Sequence, residues 1–207
     1  SGLLSHFQQM DMLSLQGATI GSFGLDEAFM CNGANLAYSK KLFYDLKGFE
    51  GNTALASGDD VFLLQKAIRA VPEKVCYLKS EAAIVTTKPL RSWWALFFQR
   101  VRWASKSAAY QTDFPKGLAL VVFLTNLCLV LSLWLVICHW MDWRYLLAFY
   151  LLKFTVDFIL MFQTNRFLKM AMISVIISSI LYPFFCVKVA LYSLIGRYSW
   201  KGRTFKA

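Results

Sequence analysis

The sequence predicts two parts in one chain, an α/β region over residues 1–116 followed by transmembrane α-helices. Three observations carry this. The segment 117–138, GLALVVFLTNLCLVLSLWLVIC, holds no charge over 22 residues. As a helix it is roughly 33 Å long, enough to cross a hydrocarbon core of about 30 Å. With 207 residues, 57% hydrophobic and 16% charged, the chain is too apolar for an ordinary soluble domain, yet its first half is too charged for a pure membrane bundle. The charge is also divided: 13 Lys+Arg stand against 10 Asp+Glu before Gly117, net +3, and 9 against 2 from there on, net +7.

Within the first part, residues 1–90 read as a mixed α/β segment. GDDVFLLQKAIRAVP predicts a helix opened by Ser57, Gly58 and Asp59, with Val61, Leu64 and Ile68 at helical spacing and Pro72 just past its end. VCYLK and AAIVTT follow as two short strand candidates. Residues 91–116 behave differently. At 100° per residue, Trp93, Trp94, Phe97, Phe98, Val101 and Ala104 of the segment Arg91 to Gln111 fill one broad arc, while Ser92, Gln99, Arg102 and Lys106 gather opposite. That pattern predicts an amphipathic helix lying in the membrane interface. Arg100 falls inside the apolar arc, so it must snorkel or find a partner.

The membrane region spans 117–195, with 145–162 and 170–195 as the second and third spans after 117–138. Lys153 and Asp157 sit at i, i+4 in the second, either as an intrahelical ion pair or as part of a substrate path. The third contains Pro183 and Lys188, both tolerated in membrane helices. The tail, 196–207, carries Arg197, Lys201, Arg203 and Lys206. Three crossings put it opposite the first part, whereas positive-inside bias keeps it on the cytoplasmic side with that part. A third segment of 26 residues, roughly 39 Å, resolves the conflict by tilting or by breaking near Pro183; the balance favours an inside tail.

Composition excludes several classes. The basic excess belongs to the lipid-soluble half, which points to anionic headgroups rather than nucleic acid. Cys31, Cys76, Cys128, Cys138 and Cys186 are scattered, odd in number and without C-x-x-C spacing, which signals neither a disulfide framework nor a zinc site. His6 and His139 are isolated. The chain starts at Ser1 without an initiator Met or a leader pattern, and reads as processed or as a fragment.

Two stretches can carry chemistry. In SGDD, Ser57 to Asp60, the paired acids either cap free N–H groups at a helix start or serve as reactive carboxylates. In QRVRW, Gln99, Arg102 and Trp103 fall at i, i+3 and i+4, so all three can face one object above the membrane. An amide, a guanidinium fork and a flat aromatic suit a phosphorylated, sugar-bearing ligand. A membrane anchor uses the same residue types.

Taken together, CNGANLAYSKKLF, then ASGDDVFLL, then QRVRW before membrane spans, and finally WKGR, resemble the C-terminal half of membrane-bound family 2 glycosyltransferases, the group of cellulose, chitin and hyaluronan synthases. The resemblance covers nearly the whole chain. It implies an A-type nucleotide-diphospho-sugar transferase fold, of which residues 1–90 are the acceptor-side half, and an inverting transfer at the cytoplasmic membrane face. The resemblance also implies that Asp60, with Asp59 beside it, is the catalytic base. Gln99, Arg102 and Trp103 become the wall where acceptor sugar and donor pyrophosphate meet, and Asn32 and Gly33 belong to a loop near the acceptor. A nucleotide-sugar donor, a lipid or glycan acceptor and membrane lipids are the implied partners. A divalent metal, Mg or Mn, is implied on a D-x-D motif in an upstream half; this chain has no D-x-D, and these residues alone are expected to show little or no activity. Three spans offer little for a polymer channel, which ranks a lipid or short-glycan acceptor above processive polysaccharide synthesis. The alternative of another class is a non-catalytic scaffold or transporter part, with SGDD as a cap and QRVRW as an anchor.

Overall fold

A computed structural model describes residues 2–51, 58–106, 112–200 and 202–206. It is mostly helical, and the only strand pairing among the described residues is a C-terminal hairpin. The α/β expectation for the first part is therefore corrected in its strands. VCYLK and AAIVTT form no ladder: 75–80 is irregular and Glu81–Ala83 is a single 3-10 turn. Val75, Ser80 and Ile84 do have extended backbone angles, so the local conformation is right and the partner strand is missing. β-structure is completed between segments, and an extended run without a neighbour is a loop.

The first helix, α1, Leu3–Gly24, has no counterpart among the predicted elements. Phe7, Met10, Leu13 and Gly17 are buried along it, which gives one face at helical spacing. That face packs on the membrane region, where Met10 and Leu13 join Met161 in one core cluster. Gly17 permits the close approach, because a Cβ there would come within 2.5 Å of the Thr164 hydroxyl and 3.0 Å of Leu160.

Short α2, Lys40–Asp45, is capped by Ser39, whose hydroxyl accepts the Leu42 N–H. Its following turn is tied to α3, Asp59–Ala70, by the Lys66 ammonium, which donates to the Gly48 and Glu50 carbonyls at 2.8 Å each. The expected helix is thus present in α3; Ser57, expected to open it, lies outside the described residues. Next, α4, Trp93–Ala104, is capped by Ser92 accepting from Ala95. The expected amphipathic segment continued to Gln111, but the helix ends at Ala104 and 107–111 lie outside the described residues. Its apolar arc is divided: Leu96, Phe97 and Val101 are buried, and Trp93 and Trp94 are exposed.

Three further helices are long and apolar enough to cross a membrane: α5, Asp113–Ile137, α6, Trp143–Leu168, and α7, Val175–Ile195. The first two exceed their expected ends on both sides or at the start. The third begins five residues later than expected, at 21 residues or roughly 32 Å, and it passes through Pro183 without a break. Neither the excess length nor the re-entrant break needed to return the tail is present. Trp134, Trp140 and Trp143 are exposed around the turn between α5 and α6, a placement suited to a headgroup belt.

The C-terminal hairpin is β1, Arg197–Trp200, antiparallel to β2, Arg203–Lys206, with Tyr198 opposite Phe205. Buried Tyr198 shares a cluster with Phe97 and Val101 of α4 and Val189 of α7. The basic tail therefore folds back beside α4. Along α7, Ser174 just before its start approaches the His6 ring, Tyr182 packs tilted and Phe185 edge-on against Phe7, and Tyr192 packs against Phe97 and Phe98. Of the two intramembrane cations, Lys153 pairs with Asp157 within α6 and lies 5.2 Å from the Tyr182 ring centre. Lys188 sits 5.4 Å from the Phe97 ring centre, a cation–π contact.

Candidate functional site

The acidic pair opens α3 behind Gly58, whose φ of 101° is a left-handed conformation that suits glycine. Asp60 does two things. Its Oδ1 accepts the Val61 N–H at 2.9 Å, satisfying one free donor of the first turn, and its Oδ2 accepts the Gly33 N–H at 2.8 Å. The cap reading of this residue thus holds for one oxygen only; the other is aimed 27 residues back along the chain. Asp59, beside it, is exposed.

The loop that meets Asp60 is shaped by its own asparagines. Asn32 accepts the Ala34 N–H on its side-chain oxygen at 3.2 Å and starts a 3-10 turn over Gly33–Asn35. Asn35 donates to the Ala83 carbonyl at 2.7 Å, fixing the loop to the irregular stretch after α3. A Cβ on Gly33 would stand 3.0 Å from Asp60 Oδ2, so the glycine is needed for the approach of this carboxylate. Cys31, one residue before the loop, is pushed up to about 12, by burial first and then by the negative charge of Asp60 and Asp59. At neutral pH it is therefore a protonated thiol.

From the other side comes α4. Arg102 lies within electrostatic reach of Asp60 and of Tyr198; burial pulls it below its ordinary value while those two groups oppose the shift. Lys106, four residues on, lies against Gly58, where an added Cβ would meet its Cδ at 2.9 Å and its Nζ at 3.2 Å. The ammonium is lowered to about 8, by burial first and by Arg102 second, with Asp60 and Asp59 opposing. Asp60 therefore lies within electrostatic reach of both Arg102 and Lys106, and Asp59 within reach of Lys106. A small cleft of about 140 Å³ lies on the acidic side, lined among others by Gly33, Tyr38, Asp59, Asp60 and Leu63. A larger open hollow of about 430 Å³ between Phe43 and Glu50 contains neither acid, and chemistry favours the smaller one.

Of the residues singled out from sequence, the structure brings together Gly33, Asp59 and Asp60, with Arg102 within electrostatic reach of Asp60. Asn32 shapes the loop. Gln99 and Trp103 instead gather on Arg100 of the same helix: Arg100 donates to the Gln99 side-chain amide oxygen, and its guanidinium carbon lies 4.2 Å from the Trp103 ring centre. Lys106 was on the polar arc of the wheel, four residues after Arg102, but no role followed from that position. Among the described residues, no group of three or more His, Cys, Asp or Glu side chains is arranged to hold a metal ion.

The lowered Lys106 value has a checkable consequence. As pH rises through about 8 the amine becomes a free nucleophile, so its acylation by acetic anhydride, followed peptide by peptide in a mass spectrometer, rises around pH 8. A rise centred near its ordinary 10.5 would show that the ammonium is solvated. The linkage runs the same way: between about 8 and 10.5 the unfolded chain binds this proton more tightly than the folded one, and stability rises with pH across that window.

Comparison of the chain with protein-family models, with curated proteins and with solved structures finds no match.

Proposed function

We propose that this chain is the acceptor-side part of a membrane-bound inverting glycosyltransferase, which moves a sugar from a nucleotide-sugar onto a lipid or short-glycan acceptor at the cytoplasmic membrane face. The observation that supports it best is the meeting of Asp60, held by the Gly33 N–H, with Arg102 of the Q-x-x-R-W helix. A cap alone does not call for cations from a distant segment, and an anchor alone does not call for a carboxylate bonded to a loop 27 residues away.

In this reading the acceptor hydroxyl oxygen attacks the anomeric carbon and its proton passes to the Asp60 carboxylate. The bond from that carbon to the diphosphate oxygen breaks, and the electron pair leaves with the diphosphate. Arg102, with Lys106 behind it, stabilises the charge that develops on the departing phosphate. Gln99 and Trp103 hold the acceptor sugar, and Asp59 keeps the local field negative beside the base. The divalent ion and the donor nucleotide belong to the upstream half that the resemblance implies.

The test is direct. Membranes containing the full-length protein are given a panel of nucleotide-sugars, with release of nucleoside diphosphate and a labelled lipid-extractable or glycan product as readouts. Release of one diphosphate with a matching product is expected. Absence of release with every donor, in a full-length chain whose upstream region lacks a D-x-D motif, removes the enzyme reading and leaves the scaffold.

A further inference from the structure

Arg100 is the one charged residue on the apolar arc of α4, and it is 8% exposed. Its partner is Asp11 of α1, 5% exposed, at 2.7 Å from Nε and 2.5 Å from Nη2 to the same Oδ2. Two nitrogens on one carboxylate fix the plane of the guanidinium. What remains of the group is then committed as well: Nη1 donates to Gln99 Oε1, and the flat face covers Trp103 at 4.2 Å.

We propose that the buried Asp11–Arg100 pair is a positioning device that sets how Gln99 and Trp103 are presented to the acceptor. The inference rests on the acceptor reading of those two residues given above.

Arginine carries donors only, so the Gln99 amide must turn its oxygen toward Arg100. Its NH₂ is left as the group offered to a ligand, which makes Gln99 a donor to sugar oxygens. Trp103 has one ring face occupied by the guanidinium, which holds the indole in one plane and leaves stacking to its other face. A purely structural role explains the pair less well. A buried ion pair is often matched or bettered in stability by apolar residues of similar volume, whereas only a planar, forked cation can bind Asp11, Gln99 and Trp103 at once. The anchor for that plane lies on α1, which is itself fixed to the approach of α4: Gln8 exchanges two hydrogen bonds with the Leu90 backbone, 3.0 and 2.8 Å, and Phe7 packs on Trp93 at 5.0 Å.

The experiment uses full-length protein labelled with 5-fluorotryptophan in detergent micelles, with Trp103→Phe assigning the Trp103 fluorine signal. Arg100→Lys keeps the charge but not the fork. It is expected to move the Trp103 signal, and to lower kcat/KM for the acceptor on the order of 10²-fold through misplacement by about 1 Å, with the donor KM unchanged. Should Arg100→Lys fail to fold, the uncharged pair Asp11→Asn with Arg100→Gln is read in the same way with the same expectation. An unmoved Trp103 signal in a folded variant overturns the proposal, as does a moved signal with wild-type acceptor kinetics. Lack of transfer by the wild-type protein from any donor overturns the enzyme reading instead, and the fluorine signal still decides whether Arg100 holds Trp103.

Discussion

Asp11→Ala lowers the stability of the protein by about 3–5 kcal/mol, the cost of leaving a buried cation without its counter-ion. The side chains of Arg100 and Asp11 are 9% and 4% accessible, so water cannot replace the lost carboxylate without opening the contact between α1 and α4. Burial pushes the Asp11 carboxyl up and Arg100 pulls it back, so each partner is needed to keep the other tolerable in this position. The double variant Asp11→Ala with Arg100→Met removes both charges and recovers most of the loss, because an apolar side chain of similar length pays no desolvation there. Denaturant unfolding in micelles, followed by tryptophan fluorescence, measures both. A single-variant loss below about 1 kcal/mol is the signature of a solvated surface pair and sinks the argument.

This pair also marks where sequence reasoning stopped. Arg100 stood on the apolar arc as a cation needing a partner, and that need was legible; Asp11 lies 89 residues away on a helix that the pattern did not announce. The face of α1 is interrupted by Gln8, Gln9 and Asp11, and it becomes apolar only in the company of Met161 and its neighbours. Helices of this kind are held by tertiary packing more than by their own periodicity. By contrast α3, α4 and the three apolar helices were readable, because caps, 3.6-residue spacing and charge-free runs are local signals. The strands expected around Val75 and Ile84 depended on a partner elsewhere, and local propensity does not supply one.

The acidic pair shows the same division within one motif. Spacing placed Asp59 and Asp60 at a helix start, and it left a cap and a base as open choices. What sequence could not reveal was that the two oxygens of Asp60 do different things, one on Val61 and the other on Gly33. That second bond brings the Asn32–Gly33 loop to the acids. Lys106 reaches them from across a turn whose neighbours, 107–111, lie outside the described residues, and its contact with Gly58 comes from tertiary folding alone.

Asp60→Asn in the full-length protein lowers sugar transfer by about 10²–10⁴-fold, the usual contribution of a positioned general base. The substitution keeps the shape of the side chain and one acceptor oxygen, so either the Val61 N–H or the Gly33 N–H remains bonded and the other faces an amide donor. That conflict costs about 1–3 kcal/mol locally, too little to explain so large a loss of rate if the protein remains folded. Nucleotide-sugar binding therefore stays close to wild type and the unfolding midpoint falls by several degrees at most, on the order of 2–4 °C per kcal/mol, while turnover falls. Asp59→Asn is the matching control: its carboxylate is exposed and is expected to matter less than Asp60 does. The reverse ranking, with Asp59→Asn inactive and Asp60→Asn active, moves the base one residue toward the N-terminus. Full turnover in both variants removes the pair from the chemistry and returns it to the role of a helix start.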